Sequence, residues 1–286
     1  MIQRDTIRTG GADLRLRPLP LRLPTAHPNH STRRKNEGDR PAMSDRIPKR
    51  VVKKETVPSR LLPAGKRDVR VCLPPAFSET AEYPVVWCQD GEDFFNFGRI
   101  ATIAATLAVE GEIEPLILVG VDVDKAVRTR EYAPDGDLHE AYTAFFAGEL
   151  VPYIASRYPV RTEPEQMLLA GCSLGGAVSL QLALAHPDRF PNVMSLSGAF
   201  YPSSQAAIAA ASDLSHLNIF MTVGLQETAF RTDRGVFDFV AMNREARKLL
   251  EERGARVDYT ERDGEHLWGY WQKDLPGGLG WFAGLR

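Results

Sequence analysis

Short, unbroken apolar runs recur along this chain, and they constrain its fold more than any other feature. Residues 84–89 (PVVWCQ), 115–121 (PLILVGV), 166–170 (QMLLA), 192–196 (NVMSL) and 217–223 (LNIFMTV) are too short for helices and show no polar alternation. A strand with one wet face alternates; a strand covered on both faces need not. Such runs are expected at the centre of a parallel sheet, and a parallel sheet requires a covering of helices. Residues 68–73 (DVRVCL) do alternate and end at Pro74-Pro75, where proline removes ladder donors. Residues 255–260 read as a final strand.

Helical patterns fall between these runs. Residues 100–110 are alanine-rich and free of internal Gly and Pro, and residues 140–157 place Tyr142, Phe145, Phe146, Leu150 and Ile154 at helical spacings. Pro152 is expected to kink the second pattern. Residues 176–185 and 237–253 add two more, the latter stopped by Gly254. Strands alternating with helices predict an α/β architecture with a mostly parallel, doubly wound central sheet and helices on both faces.

The chain has 286 residues, 43% of them hydrophobic, enough for one α/β core. Its small net charge of −2 hides an asymmetry: residues 1–54 hold 14 Lys/Arg and 5 Asp/Glu, leaving 21 and 32 in the remainder. The basic head is proline-rich and poor in aliphatic runs, so it cannot offset its ordering entropy by burial. Residues 1–45 are expected to be disordered and residues 46–286 to form the catalytic domain. A nucleic-acid arm, a transit peptide or a true start at Met43 are the alternative readings of the head; no nucleic-acid partner is expected. No apolar run reaches membrane-helix length and no secretory leader pattern opens the chain, so a soluble, cytoplasmic protein is expected. Cys72, Cys88 and Cys172 form no C-x-x-C pair and read as reduced thiols. Neither H-E-x-x-H nor a dinucleotide fingerprint occurs, so no metal or cofactor is expected.

The chemistry concentrates at Gly171-Cys172-Ser173-Leu174-Gly175, a G-x-S-x-G pattern that follows an apolar strand and opens a helix. That setting suits a nucleophile on a sharp turn, where side chains two residues either side would collide. A serine hydroxyl needs a base, and the base needs a carboxylate. Of six histidines, His266, in the loop after the last strand, is the candidate base. Glu227, beyond the 217–223 strand, is the candidate acid, with Asp233 and Asp238 as alternatives on the same connection. The order Ser173, Glu227, His266 is that of α/β-hydrolases. Leu174 N–H and Glu92 N–H are the candidate oxyanion donors, with Gly91 permitting close approach.

Several segments resemble the enterochelin esterase and esterase D group of α/β-hydrolases over roughly residues 60–285. They are Tyr83-Pro84-Val85-Val86-Trp87-Cys88-Gln89-Asp90-Gly91, Arg130-Glu131-Tyr132-Ala133-Pro134, the Gly171–Gly176 elbow, Leu196-Ser197-Gly198-Ala199-Phe200, and Gly264-Glu265-His266-Leu267-Trp268 with Trp271. The resemblance implies a serine esterase and a small-molecule ester substrate, possibilities ranging from catecholate siderophore trilactones to acetyl, feruloyl and other short-chain esters. An acyltransferase, or a non-catalytic binding protein on the same fold, are its rivals. Arg128 and Arg130 are candidate contacts for an anionic ligand, and Phe94 and Trp268 for its aromatic rings. Loop arginines and core aromatics are the plainer readings of the same residues.

Overall fold

The structure, a computed structural model, describes residues 49–286. The expectations for the basic head therefore lie almost wholly outside the described residues. The strands are β1 (Val51–Pro58), β2 (Lys66–Leu73), β3 (Val85–Gln89), β4 (Ile117–Val121), β5 (Met167–Cys172), β6 (Asn192–Leu196), β7 (Asn218–Gly224), the short β8 (Phe230–Thr232) and β9 (Gly235–Phe237), and β10 (Arg256–Arg262). Eight of them form one sheet in the order β1-β2-β4-β3-β5-β6-β7-β10, while β8 and β9 pair as a separate hairpin. β2 runs antiparallel to both β1 and β4, and every pairing from β4 to β10 is parallel. β3 to β6 are buried along their whole length, as their unbroken apolar sequences require.

The helices are α1 (Gly91–Asn96), α2 (Ile100–Glu110), α3 (Arg128–Tyr132), α4 (His139–Phe145), α5 (Val151–Ala155), α6 (Leu174–Ala185), α7 (Pro202–Ala210), α8 (Phe239–Glu252) and α9 (Trp268–Gly284). Alternate strand residues divide between two cores. Val86, Cys88, Leu168, Ala170 and Met194 pack with Ile100 and Leu107 of α2 and Leu275 and Phe282 of α9. Val85, Trp87, Leu169 and Val193 pack with Phe146, Ile154, Val178 and Leu250 on the other side. The doubly wound α/β-hydrolase sheet is thus built as its sequence pattern demands.

Three departures have physical causes. The 140–157 pattern is helical as far as Ala155, but the five-residue wide turn Phe146–Leu150 precedes Pro152, which sits in the first turn of α5. A π-turn of this kind takes up the register that the missing proline N–H would otherwise break. β1 is an edge strand with mostly exposed side chains, including Lys53 and Lys54, so it carries little apolar signal and its charges discourage further pairing. α9 contains Pro276 and several glycines, yet it forms because it lies close to the sheet: a Cβ on Gly278 would come 2.2 Å from Met194 Sδ.

Parallel strands from β3 to β10 point their carboxyl ends at one edge. The loops following β3, β5, β6, β7 and β10 therefore share that edge, and they carry Asp90 and Glu92, Ser173, Ser197, Glu227 and His266 respectively. Ligands bind at this end of open α/β sheets.

Candidate active site

The turn from β5 into α6 is forced by its glycines. Ser173 adopts φ 56, ψ −125, a conformation that costs on the order of 1–3 kcal/mol for a residue with a side chain. The chain doubles back so tightly that a Cβ on Gly171 would sit 2.0 Å from the Gly175 carbonyl. On Gly176 it would sit 2.4 Å from Ser195 Oγ. The Ser173 backbone is tied to the end of β6 and the loop after it: its N–H donates to Leu196 O (2.9 Å) and its carbonyl accepts from Ala199 N–H (2.9 Å). That carbonyl also takes the Gly176 and Ala177 N–H groups, and no backbone acceptor for Leu174 N–H exists among the described residues. Cys172, beside the serine, is buried, and burial holds its thiol well above the ordinary range, so it is a space-filling thiol.

Glu227 and His266 meet at the same edge. His266 Nδ1 lies 2.7 Å from Glu227 Oε2, and with a carboxylate as acceptor the ring nitrogen is the donor. Both residues are buried. The other carboxylate oxygen, Oε1, accepts from Gly224 N–H (2.8 Å) and Ser197 Oγ (2.7 Å), so the whole charge is solvated by protein donors. The His266 ring is enclosed by Phe230, Phe239 and Trp271 at centroid distances of 4.2, 4.3 and 4.8 Å, leaving Nε2 as the nitrogen not engaged by Glu227. The loops bearing acid and base approach closely at two glycines, since a Cβ on Gly224 would lie 2.2 Å from Gly264 O. The alternative acids are occupied elsewhere: Asp238 caps α8 through Ala241 N–H, and Asp233 accepts from Thr129 Oγ1.

Glu92 is the second residue of α1, which follows β3. Its N–H has no backbone acceptor among the described residues, whereas Asp93 and Phe94 N–H both donate to Asp90 O. Its side chain points away to Arg70 (3.1 Å). Gly91 is required here because a Cβ would come 2.3 Å from the Gly120 carbonyl carbon on β4.

The four candidate ligand contacts are placed unevenly. Phe94 has no exposed surface and packs edge-on against Trp268 (5.1 Å between centroids), so it supports the site from the core. Trp268 is half-buried at the start of α9, near the exposed Phe97 (6.5 Å). Arg130 is exposed and pairs with Asp137, a surface ion pair that water screens. Arg128 is committed to the protein: Nε and Nη2 bond the two Asp90 oxygens at 2.6 and 2.7 Å. Burial alone would lower the Arg128 pKa, but the Asp90 charge and hydrogen bonds raise it above the usual arginine range. A cavity of about 540 Å³ borders Arg67, Asp122, Val127 and Glu131 further along the same edge; Ser173, Glu227 and His266 do not line it.

Ser197 was not assigned a role by the sequence, although it stands in one of the family-like segments. It is buried, has φ 51, donates to Glu227 and accepts from Trp271 Nε1 (2.8 Å). Its legible signal was position: a small polar residue directly after a central strand, at the end where ligands bind.

Comparison with known proteins agrees with this architecture. Residues 62–282 match the Esterase family model, described as "Putative esterase". The uncharacterized protein YjcH of Bacillus subtilis (strain 168) is 37% identical over 204 residues, which span 71% of this chain and 85% of YjcH. Among solved structures, a ferulic acid esterase superposes with a TM-score of 0.72 at 21% identity, covering 83% of this chain and 99% of its own. An enterobactin esterase from Shigella flexneri, solved in the presence of enterobactin, gives 0.70 at 22% identity, covering 82% of this chain and 59% of its own. These likenesses at low identity reflect the shared fold, and the family match extends over most of the chain. The chain belongs to the Esterase family and is a carboxylic ester hydrolase with the α/β-hydrolase fold.

Proposed function

We propose that this protein is a serine esterase working through an acyl-enzyme on Ser173, with His266 as base and Glu227 as its carboxylate partner. His266 Nε2 takes the Ser173 hydroxyl proton as Oγ attacks the ester carbonyl carbon. Leu174 N–H and Glu92 N–H hold the resulting oxyanion, each donor contributing about 3 kcal/mol to the barrier reduction. The intermediate collapses, His266 returns the proton to the departing alcohol, and an acyl ester remains on Ser173. Water, deprotonated by His266, attacks that ester, releases the acid and restores the serine.

The observation that carries this reading is the buried Glu227–His266 pair, 2.7 Å apart, on the sheet edge that also bears the strained Ser173. A buried carboxylate bonded to Nδ1 fixes the tautomer that leaves Nε2 as an acceptor and stabilises the imidazolium formed during attack. Ser173→Ala should abolish hydrolysis of p-nitrophenyl acetate and of a catecholate trilactone alike. Undiminished turnover by that variant would overturn the mechanism.

The substrate class we propose is an enterochelin-type catecholate siderophore trilactone, supported by the family-like segments and by the enterobactin esterase likeness. A feruloyl ester is the second reading, favoured by the ferulic acid esterase whose whole length is matched. Arg130 and Trp268 are the proposed ligand contacts, because the Arg130 pair is exposed and Trp268 keeps an accessible surface next to Phe97. A panel of ferric and iron-free trilactones, feruloyl esters and short-chain esters separates the two, and added alcohol acceptors test for acyl transfer. We also propose a cytoplasmic setting: all three cysteines are free and buried, and no helix among the described residues is long and apolar enough to cross a membrane.

A further inference from the structure

Asp90 is an acidic residue in an awkward place. Its side chain is 4% exposed, its backbone is left-handed (φ 55, ψ 50), and it lies between the two proposed oxyanion donors. On one side its carbonyl accepts from Asp93 and Phe94 N–H, which shapes the first turn of α1 and thereby aims Glu92 N–H. On the other side its carboxylate packs on the nucleophile turn, with Oδ2 3.0 Å from where a Gly175 Cβ would be. A full negative charge here opposes any negative charge that develops on a substrate oxygen held by Leu174 and Glu92, and in a water-poor site that opposition is strong.

Arg128 answers this charge. It grips both carboxylate oxygens, and its guanidinium lies 5.2 Å over the Tyr132 ring. The Tyr132 hydroxyl in turn accepts Asp90 N–H at 3.2 Å, so α3 holds both the side chain and the backbone of Asp90. The remaining charged neighbours are the exposed Lys125, 3.5 Å from Asp90 Oδ1 and paired more closely with Asp93 at 2.6 Å. Water screens Lys125, leaving Arg128 as the desolvated partner.

We infer that Arg128 is a positioning residue of the oxyanion hole: it locks Asp90 between the two donors and cancels a charge that would otherwise oppose the transition state. The inference rests on the serine mechanism proposed above and deepens it. It also removes Arg128 from the list of substrate anchors, since both of its faces toward Asp90 and Tyr132 are in use.

Charge compensation by Arg128 produces an asymmetry that a merely structural clamp does not. Arg128→Gln leaves Asp90 uncompensated and should lower kcat for the neutral ester p-nitrophenyl acetate by about 100-fold, with KM changed less than about threefold. Asp90→Asn leaves a cation near the hole and should lower kcat by no more than about tenfold. The double variant, with neither charge, should recover to within about tenfold of the parent. Arg128→Lys, which keeps charge but loses the two-point grip, should also stay within about tenfold and serves if Arg128→Gln fails to fold. Equal losses in Arg128→Gln and Asp90→Asn without recovery in the double variant would overturn the inference. So would a 100-fold kcat loss in Arg128→Lys, or an Arg128 effect confined to KM for anionic esters. Ser173→Ala is measured alongside: if it keeps turnover, the serine mechanism itself fails and the inference falls with it; if it is inactive, the Arg128 and Asp90 pattern judges the inference alone.

Discussion

The two flanks of Ser173 are built from different materials. Toward β7 and β10, one carboxylate and one imidazole sit among Phe230, Phe239 and Trp271, with Ser197 and Gly224 N–H as neutral donors. Toward β3 and β4, the supports are fully charged: Arg128–Asp90, Arg67–Glu131 and Arg70 with Asp122 and Glu92. In the proposed mechanism the first flank has to let a proton arrive and leave, so a fixed counter-cation beside Glu227 would weaken the imidazolium it is proposed to stabilise. In that mechanism the second has to hold backbone N–H groups still, and the bidentate Arg128–Asp90 pair contributes to that with little motion. On this proposal, proton traffic and backbone anchorage receive different chemistry on the two sides of one serine.

Breaking the first flank should have the largest effect. Glu227→Gln keeps the shape but offers His266 the wrong partner, and kcat for p-nitrophenyl acetate is expected to fall by roughly 10⁴-fold with KM nearly unchanged. A loss below tenfold would mean that the carboxylate is not the acid. Ser197→Ala removes one of the two donors on Glu227 Oε1 and leaves Trp271 Nε1–H unpaired. A hydrogen bond to a charged group is worth about 1.5–3 kcal/mol, so kcat should drop about 10- to 100-fold. The Nδ1 proton resonance of His266 should shift as well, a change that loss of packing elsewhere would not produce.

The hairpin of β8 and β9 joins the two flanks, and breaking it should matter least. Arg234 near its tip bonds Asp135, while Thr129 of α3 donates to the neighbouring Asp233. The Arg234 hydrogen bond holds the Asp135 carboxyl at about 2, against opposing desolvation, with the Arg234 charge adding to the effect. A depressed carboxyl pKa means that this contact contributes fully above the unfolded value near 4 and is lost as pH falls through about 2. Hydrogen-exchange protection of the hairpin, after correction for the pH dependence of intrinsic exchange, should accordingly be unchanged from pH 7 to pH 5. Because the pair is largely solvent-exposed, Arg234→Ala should cost no more than about 1 kcal/mol in denaturant unfolding and leave kcat within a few-fold. A larger kcat effect would make the hairpin part of the catalytic machinery.

The same contrast explains what the sequence made legible. Strands β3 to β7 announce themselves because burial leaves mostly apolar residues along them, and the elbow because its glycines answer a local steric demand. Glu227 and His266 could be nominated from chain order, since each follows a strand that ends at the same edge. The oxyanion flank was harder: Arg128 and Asp90 are 38 positions apart, and nothing local marks an arginine as paired with an acid rather than free for a ligand. Phe94 had the same ambiguity, because an aromatic beside a catalytic loop reads alike whether it faces ligand or core. α1 leaves no helical pattern in the sequence, being six residues entered through a left-handed Asp90. α9 was hidden by Pro276 and its glycines, whose tolerance comes from close packing on Met194 and Phe220 that no local propensity records.

Ser173 is the proposed nucleophile. Incubation of the full chain with a fluorophosphonate, followed by digestion and peptide mass measurement, tests it without reference to any substrate. One adduct per chain on the peptide containing Ser173, absent in Ser173→Ala and formed much more slowly in Glu227→Gln, is the expected result. An adduct on another residue, or equal labelling of Ser173→Ala, would contradict the account.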